Sequence, residues 1–142
     1  MYSFDNKVVW ITGSSTGIGR SAAIAFADHG ADVVIHYHSS LNEAKILESE
    51  IIAKGRKCLL VQGDVADRTQ VEQMTAQVKE TFGRLDVLVN NAGALIKRAR
   101  LEELDEELWD RVMNINLKSV YLVTKATLPL LKQAEKAKII NL

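Results

Sequence analysis

Thr12-Gly13-Ser14-Ser15-Thr16-Gly17-Ile18-Gly19 lies between an apolar run, Val8-Val9-Trp10-Ile11, and an Ala-rich helical pattern that starts at Ile18. A glycine-rich turn between a strand and a helix is where phosphates can meet a helix N-terminus. The unpaired N–H groups and the positive end of the helix dipole favour negative charge there, and glycines let the phosphates reach the backbone. Any tight strand-to-helix turn also wants glycine, so the loop has to be weighed with the motifs farther along the chain. The G-x-G-x-x-G spacing of many dinucleotide folds is absent, and Gly13-x-x-x-Gly17-x-Gly19 stands in its place. In this spacing Gly13 suits the tight turn, Gly17 a close pyrophosphate and Gly19 close helix–strand contact.

Outward from that loop, short apolar runs alternate with amphipathic helical patterns. Strands are expected at Lys7–Ile11, Asp32–Tyr37, Lys57–Gln62, Val87–Asn90 and Lys138–Asn141. β-Branched residues dominate the first, second and fourth, as in strands buried on both faces. One helix aligns Val71, Met74, Val78 and Phe82 on a single face. A long helix over Glu106–Glu135 aligns Leu108, Val112, Ile115, Ser119, Leu122 and Ala126. Ser40 with Glu43 and Asp67 with Gln70 read as capping boxes, and Asp105 precedes an acidic first turn. Strict alternation implies an α/β fold: a Rossmann-like, doubly wound parallel sheet of strand order 3-2-1-4-5, its ligand site at the carboxyl ends of the strands.

Composition bounds the function. The 142 residues form one domain, 1–142, with an ordinary apolar fraction of 47%. Lys plus Arg and Asp plus Glu each total 18, a balance that argues against a nucleic-acid partner. The single cysteine, Cys58, reads as a core thiol in a strand. Met1-Tyr2-Ser3-Phe4-Asp5 carries no apolar leader and no run approaches membrane-spanning length, so a cytoplasmic protein with no membrane partner is expected. No metal site is expected.

Two further motifs sit at strand ends. Asp64, in Gly63-Asp64-Val65, offers a carboxylate to an adenine amino group; the plainer reading is a helix cap, a role Asp67 already fills. Asn90-Asn91-Ala92-Gly93 ends the fourth strand. Such residues make turns, and small ones also suit a backbone approached by a ribose.

In these motifs the chain resembles the short-chain dehydrogenase/reductase family. Thr12–Gly19 matches its TGxxxGxG loop, Asp64 its adenine-contacting aspartate and Asn90–Gly93 its NNAG motif, while Asn116 matches its helical catalytic asparagine. The pattern is nearest to the 3-oxoacyl-carrier-protein reductase and glucose dehydrogenase branches. The resemblance implies an oxidoreductase that moves hydride between a nicotinamide and a small-molecule carbonyl or secondary alcohol. Thr12, Gly13, Ser14, Ser15, Thr16, Gly17, Ile18, Gly19, Tyr37, His38, Ser39, Asp64, Val65, Asn91, Ala92 and Gly93 would line the cofactor. Asn116 falls beside Ile115 on the apolar stripe. There the family's asparagine distorts the helix and serves a proton relay.

Cofactor choice in the family is read after the second strand, where an aspartate selects NAD. Tyr37 stands at that position and His38 where NADP enzymes often carry arginine, so NADP is favoured over NAD. Thr16 takes the place of a basic residue that many NADP-dependent members carry.

The family's serine and Tyr-x-x-x-Lys pair fall beyond Leu142, so the chain reads as truncated within the fifth strand and inactive alone. Tyr121-x-x-x-Lys125 lies far too early to be that pair. A non-catalytic nucleotide-binding short protein and one half of a split enzyme remain alternatives. A complete member would be a homo-oligomer. Lys97, Arg98 and Arg100 suit an acidic substrate or, more simply, a solvated loop.

Overall fold

The computed structural model describes residues 3–142; Met1 and Tyr2, part of the N-terminal stretch read above, lie outside the described residues. Five parallel strands form one sheet: β1 (Val8–Ile11), β2 (Asp32–Tyr37), β3 (Cys58–Gln62), β4 (Val87–Asn90) and β5 (Lys138–Asn141). The order is β3-β2-β1-β4-β5, as the alternation predicts. Lys7 and Lys57 stay just outside their strands.

The strands are apolar on both sides because both faces are covered. Val9, Ile11, Val33, Ile35, Val87 and Val89 pack under α1 (Gly17–Asp28) and α2 (Leu41–Ala53). Val8, Trp10, Val34, Val61 and Leu88 pack under α3 (Arg68–Phe82) and α5 (Ser119–Leu131). This alternate allocation along each strand is the period-2 signature of a pleated sheet between two helical layers. Cys58 is half-buried at the margin of the first of these cores, short of the full burial expected, and β5 is exposed throughout.

The expected long helix departs in a revealing way. α4 (Glu106–Met113) and α5 are separated by a π-helical turn at Asn114–Lys118, and α5 ends at Leu131 rather than Glu135. A π turn holds an extra residue and so shifts the phase of every position after it. Ser119 and Leu122 of the expected stripe are buried all the same and are joined by Val123, Thr127, Leu130 and Leu131, while Ala126 is half-buried against the same core.

The caps are also mixed. Asp67 accepts from the Gln70 N–H (3.1 Å) and Asp105 from the Leu108 N–H (2.7 Å), as expected. The Gln70 side chain does not complete a box with Asp67; its Oε1 accepts from the Asp64 N–H at 2.8 Å. Ser40 makes no side-chain cap bond at all, since its backbone (ψ 61) leaves the extended shape of a capping residue.

Candidate functional site

A cleft of about 450 Å³ opens at the carboxyl ends of β1, β2 and β4, where the strand order reverses. Gly13, Ser15, Thr16 and Ile18 form one wall, Tyr37 and His38 a second, Asp64 and Val65 a third, and Asn91, Ala92 and Gly93 the fourth. His36, Gly63, Ala94 and Ile115, which were not among the expected site residues, complete it.

The expected residues that do not line the cleft mostly build it. Thr12 is buried, and its Oγ1 accepts from the N–H groups of Asn91 (3.0 Å) and Ala92 (2.9 Å). Asn91 answers with its Nδ2, which donates to the Thr12 and Gly13 carbonyls at 2.9 and 3.1 Å. The loop after β1 is thus sewn to the loop after β4. Ser14 is fully buried, its Oγ accepting from the His36 N–H at 3.0 Å. Gly19 lies beneath the turn, where a Cβ would come within 2.5 Å of the Gly13 carbonyl oxygen. Ser39 is exposed beyond the end of β2, away from the cleft lining.

The phosphate-directed face of the loop is unencumbered. Gly17 takes φ +58, the left-handed region, and a Cβ there would meet nothing within 4 Å. Thr16, at the N-cap of α1, makes no side-chain cap bond, so the first N–H groups of that helix are left for a ligand. The loop itself carries no cation, and Arg20 of α1 is held by Glu50 at 2.6 Å. Anion attraction at this turn therefore comes from backbone dipoles.

On the adenosine side, Asp64 lines the cleft but also closes its own turn, its Oδ1 accepting from the Ala66 N–H at 2.8 Å. That bond closes a turn ahead of α3 and is not a helix cap, the cap of α3 being Asp67. Tyr37 is buried with its hydroxyl directed at Gln62 Oε1 (3.5 Å), while His38 is exposed. Gln62 Nε2 donates to the His38 carbonyl at 3.1 Å, which ties the end of β2 to β3.

Asn116 is not on a buried stripe as expected. It sits exposed in the π turn and pairs with the cleft's rim: Oδ1 accepts from the Ala94 N–H (3.1 Å) and Nδ2 donates to the Ala94 carbonyl (3.0 Å) and to Val112 (3.0 Å). A Cβ on Gly93 would fall 2.7 Å from Asn116 Oδ1, so a small residue is needed where the two meet. Tyr121 and Lys125 bond to each other at 3.1 Å on the exposed side of α5, outside the cleft lining.

Sequence reasoning missed His36. It is buried in β2, and its ring bridges two walls: Nδ1 lies 2.8 Å from the Gly13 N, and Nε2 lies 2.8 Å from the Gly63 carbonyl oxygen. The available signal was a histidine inside a continuous apolar strand, where a buried ring needs partners for its nitrogens. Lys97, Arg98 and Arg100 are exposed on the irregular segment after β4. Among the described residues no cluster of metal-ligand side chains occurs, and no helix is long and apolar enough to cross a membrane.

This sequence and fold match a known group of proteins. The short chain dehydrogenase family profile matches residues 7–142. The chain is 38% identical over 146 residues to a 3-oxoacyl-[acyl-carrier-protein] reductase of Synechocystis sp., covering 100% of this chain and 57% of that protein. It is 41% identical over 126 residues to an L-rhamnose 1-dehydrogenase (NAD(P)(+)) of Sphingomonas sp., covering 89% and 49%. The crystal structure of a short chain dehydrogenase from Burkholderia cenocepacia in complex with NADP superposes with a TM-score of 0.90 at 34% identity, over 99% of this chain and 56% of that one. A Serratia marcescens short-chain dehydrogenase/reductase variant gives 0.92 at 31% identity, over 99% and 56%. The chain spans about half the length of the curated relatives it matches. With a matching profile over almost its whole length, the chain belongs to the short-chain dehydrogenase family.

Proposed function

We propose that the chain is the dinucleotide-binding part of an NADP(H)-dependent oxidoreductase acting on a carbonyl or secondary alcohol. The observation that carries this reading is the cleft itself: an uncapped helix N-terminus behind Gly17, facing a strand end without a carboxylate. The residues fit a dinucleotide. The N–H groups at the start of α1 suit its pyrophosphate, and Asp64 and Val65 suit the adenine. Asn91, Ala92 and Gly93 suit the nicotinamide-side ribose. A 2′-phosphate at the end of β2 would meet Tyr37 and His38, with Ser39 farther out, and none of the three carries a negative charge. The Burkholderia relative's complex with NADP supports the same choice. The chemistry a bound dinucleotide supplies is hydride donation or acceptance at its nicotinamide.

Asn116 contributes by holding the rim at Ala94, and in the whole enzyme it would support the proton relay from that position. The 142 residues alone bind the dinucleotide without turning over. The carrier-protein reductase and sugar dehydrogenase relatives point to an oxo or hydroxy substrate, and a complete protein would assemble as a homo-oligomer.

The test is a titration of the purified chain with NADPH and NADH, read by nicotinamide fluorescence. NADPH should bind at least about tenfold more tightly, the effect of one or two charge-assisted contacts to the extra phosphate. Equal or tighter NADH binding would remove the NADP assignment. Binding of neither would remove the dinucleotide reading. Carbonyl reduction above a heat-killed control would refute the statement that the chain does not turn over.

A further inference from the structure

His36 lines the cleft and joins two of its walls. Its Nδ1 lies 2.8 Å from the Gly13 N, and a backbone N–H can only donate. Nδ1 must therefore be the unprotonated nitrogen, which leaves the proton on Nε2, where it is donated to the Gly63 carbonyl at 2.8 Å. The backbone of the same residue adds two more links to the loop. The His36 N–H donates to Ser14 Oγ (3.0 Å) and the Ser14 N–H to the His36 carbonyl (3.0 Å). Gly13 opens the phosphate loop and Gly63 precedes Asp64, so one buried ring fixes the separation of the two sides between which the adenosine half would lie.

We propose that His36 is a positioning residue of the cofactor cleft: a single-tautomer clamp whose neutral ring joins Gly13 to Gly63 and holds the phosphate loop in its binding shape. The inference deepens the dinucleotide reading and rests on it for its consequence in binding. A second proton on the ring would set an N–H donor against the Gly13 N–H, so acid opens the clamp. The titratable groups that face the ring are His38, just past the end of β2, which disfavours protonation, and Asp64, beyond β3, which favours it. The turn after β1 contributes only the uncharged residues from Thr12 to Thr16. Burial, the largest influence, holds the ring below its ordinary histidine range, so the clamp stays closed at neutral pH.

The test has two arms on the full chain. Without nucleotide, nitrogen NMR of the imidazole at about pH 7.5 should show an unprotonated Nδ1 and a protonated Nε2. The opposite tautomer, or a doubly protonated ring, would overturn the clamp. In the second arm NADPH is titrated into the wild type, His36→Asn and His36→Leu from about pH 7.5 to about pH 5.5. Asparagine can place an amide oxygen near the Nδ1 position and does not titrate; leucine offers no acceptor. His36→Leu should bind about tenfold more weakly at the upper pH, and His36→Asn within about threefold of wild type. Toward acid the wild type should weaken relative to His36→Asn, a comparison in which the cofactor's own phosphate titration cancels. Parallel pH profiles, or wild-type affinity rising relative to His36→Asn, would overturn the proposal. If His36→Leu does not fold, the wild-type and asparagine profiles decide. If even the wild type binds no nucleotide, the dinucleotide reading fails separately, and the tautomer still decides the clamp.

Discussion

At the scale of single residues, the loop separates two reasons for glycine that its sequence pattern runs together. Gly17 adopts φ +58 with open space where a Cβ would stand, whereas Gly19 has nowhere to put one, with the Gly13 carbonyl oxygen 2.5 Å and Ser14 Cα 2.9 Å away. Gly17→Ala should cost about 1 kcal/mol, the strain of a left-handed alanine. Gly19→Ala should cost about 2 kcal/mol or more, because backbone rather than a flexible side-chain tip must yield. Urea unfolding of both variants checks the order, and equal costs would mean that the turn relaxes around Gly19. Thr12 offers a parallel contrast. Thr12→Val strands the N–H groups of Asn91 and Ala92, which now share its hydroxyl oxygen, for a loss of about 2 kcal/mol. Thr12→Ser keeps that oxygen and should recover most of the loss. What the sequence revealed here was the residue types and their spacing. It did not reveal which polar atom meets which backbone group, so Thr12 was legible as a member of the motif but not as its fastener, and His36 was not legible as part of the site.

At the scale of elements, the sheet was readable because strands buried on both faces leave continuous β-branched runs, and alternation with helices then admits few topologies. The helix after β4 was only half readable. The stripe predicted Ser119 and Leu122 inside, but not that the buried face of α5 widens to Val123 and Thr127, nor that a π turn at Asn114–Lys118 interrupts the helix before it. The residue types of Asn114-Ile115-Asn116 do not announce the extra residue; only the family resemblance at Asn116 implied a local distortion of the helix there. The Asn116 amide, satisfied by Ala94 on one side and Val112 on the other, shows what the turn presents to the loop. Asn116→Ala should leave the melting temperature within a few degrees, since the side chain is exposed, yet speed hydrogen exchange at the Ala94 N–H by about tenfold. Unchanged exchange would mean that the rim is held by something else. Caps give a second test. Asp67→Ala removes a real bond to the Gln70 N–H and should lower the urea midpoint, whereas Ser40→Ala removes none and should leave the midpoint unchanged.

At the scale of the whole molecule, the two ends of the sheet are fastened by different chemistry. The carboxyl end, which must admit an anion, is joined by neutral groups: Thr12, Asn91 and the uncharged ring of His36. The opposite end is joined by a buried charge. Asp86 Oδ2 accepts from the Val8 N–H and from Arg84 Nε, each at 3.0 Å, and Oδ1 faces Arg84 and, at 3.5 Å, Lys7. Its own N–H donates to the Val8 carbonyl (2.9 Å), and its carbonyl accepts from the Lys138 N–H (2.9 Å), so β1, β4 and β5 converge on one residue. Burial pushes the Asp86 carboxyl up, but the bonds from Arg84 and Val8, together with the charges of Arg84 and Lys7, outweigh it and hold the group below the usual carboxylate range. Both fasteners therefore weaken in acid, in separate windows. The unfolded chain takes up the His36 proton first, from about pH 6.5 downward, so stability falls from there to the ring's lowered pKa. Asp86 contributes fully above about pH 4 and loses its contribution as pH falls through its lowered pKa. Unfolding free energy should thus be level above neutrality and descend in two steps. His36→Asn should erase the upper step and Asp86→Asn the lower, the latter with a loss of about 2 kcal/mol at neutral pH from the unpaired Arg84. Urea melts of the three proteins between about pH 8 and pH 3 decide it. An upper step that survives His36→Asn would show that the neutral ring does not hold the carboxyl end of the sheet. A lower step that survives Asp86→Asn would move the acid-labile fastener of the other end to a different carboxylate.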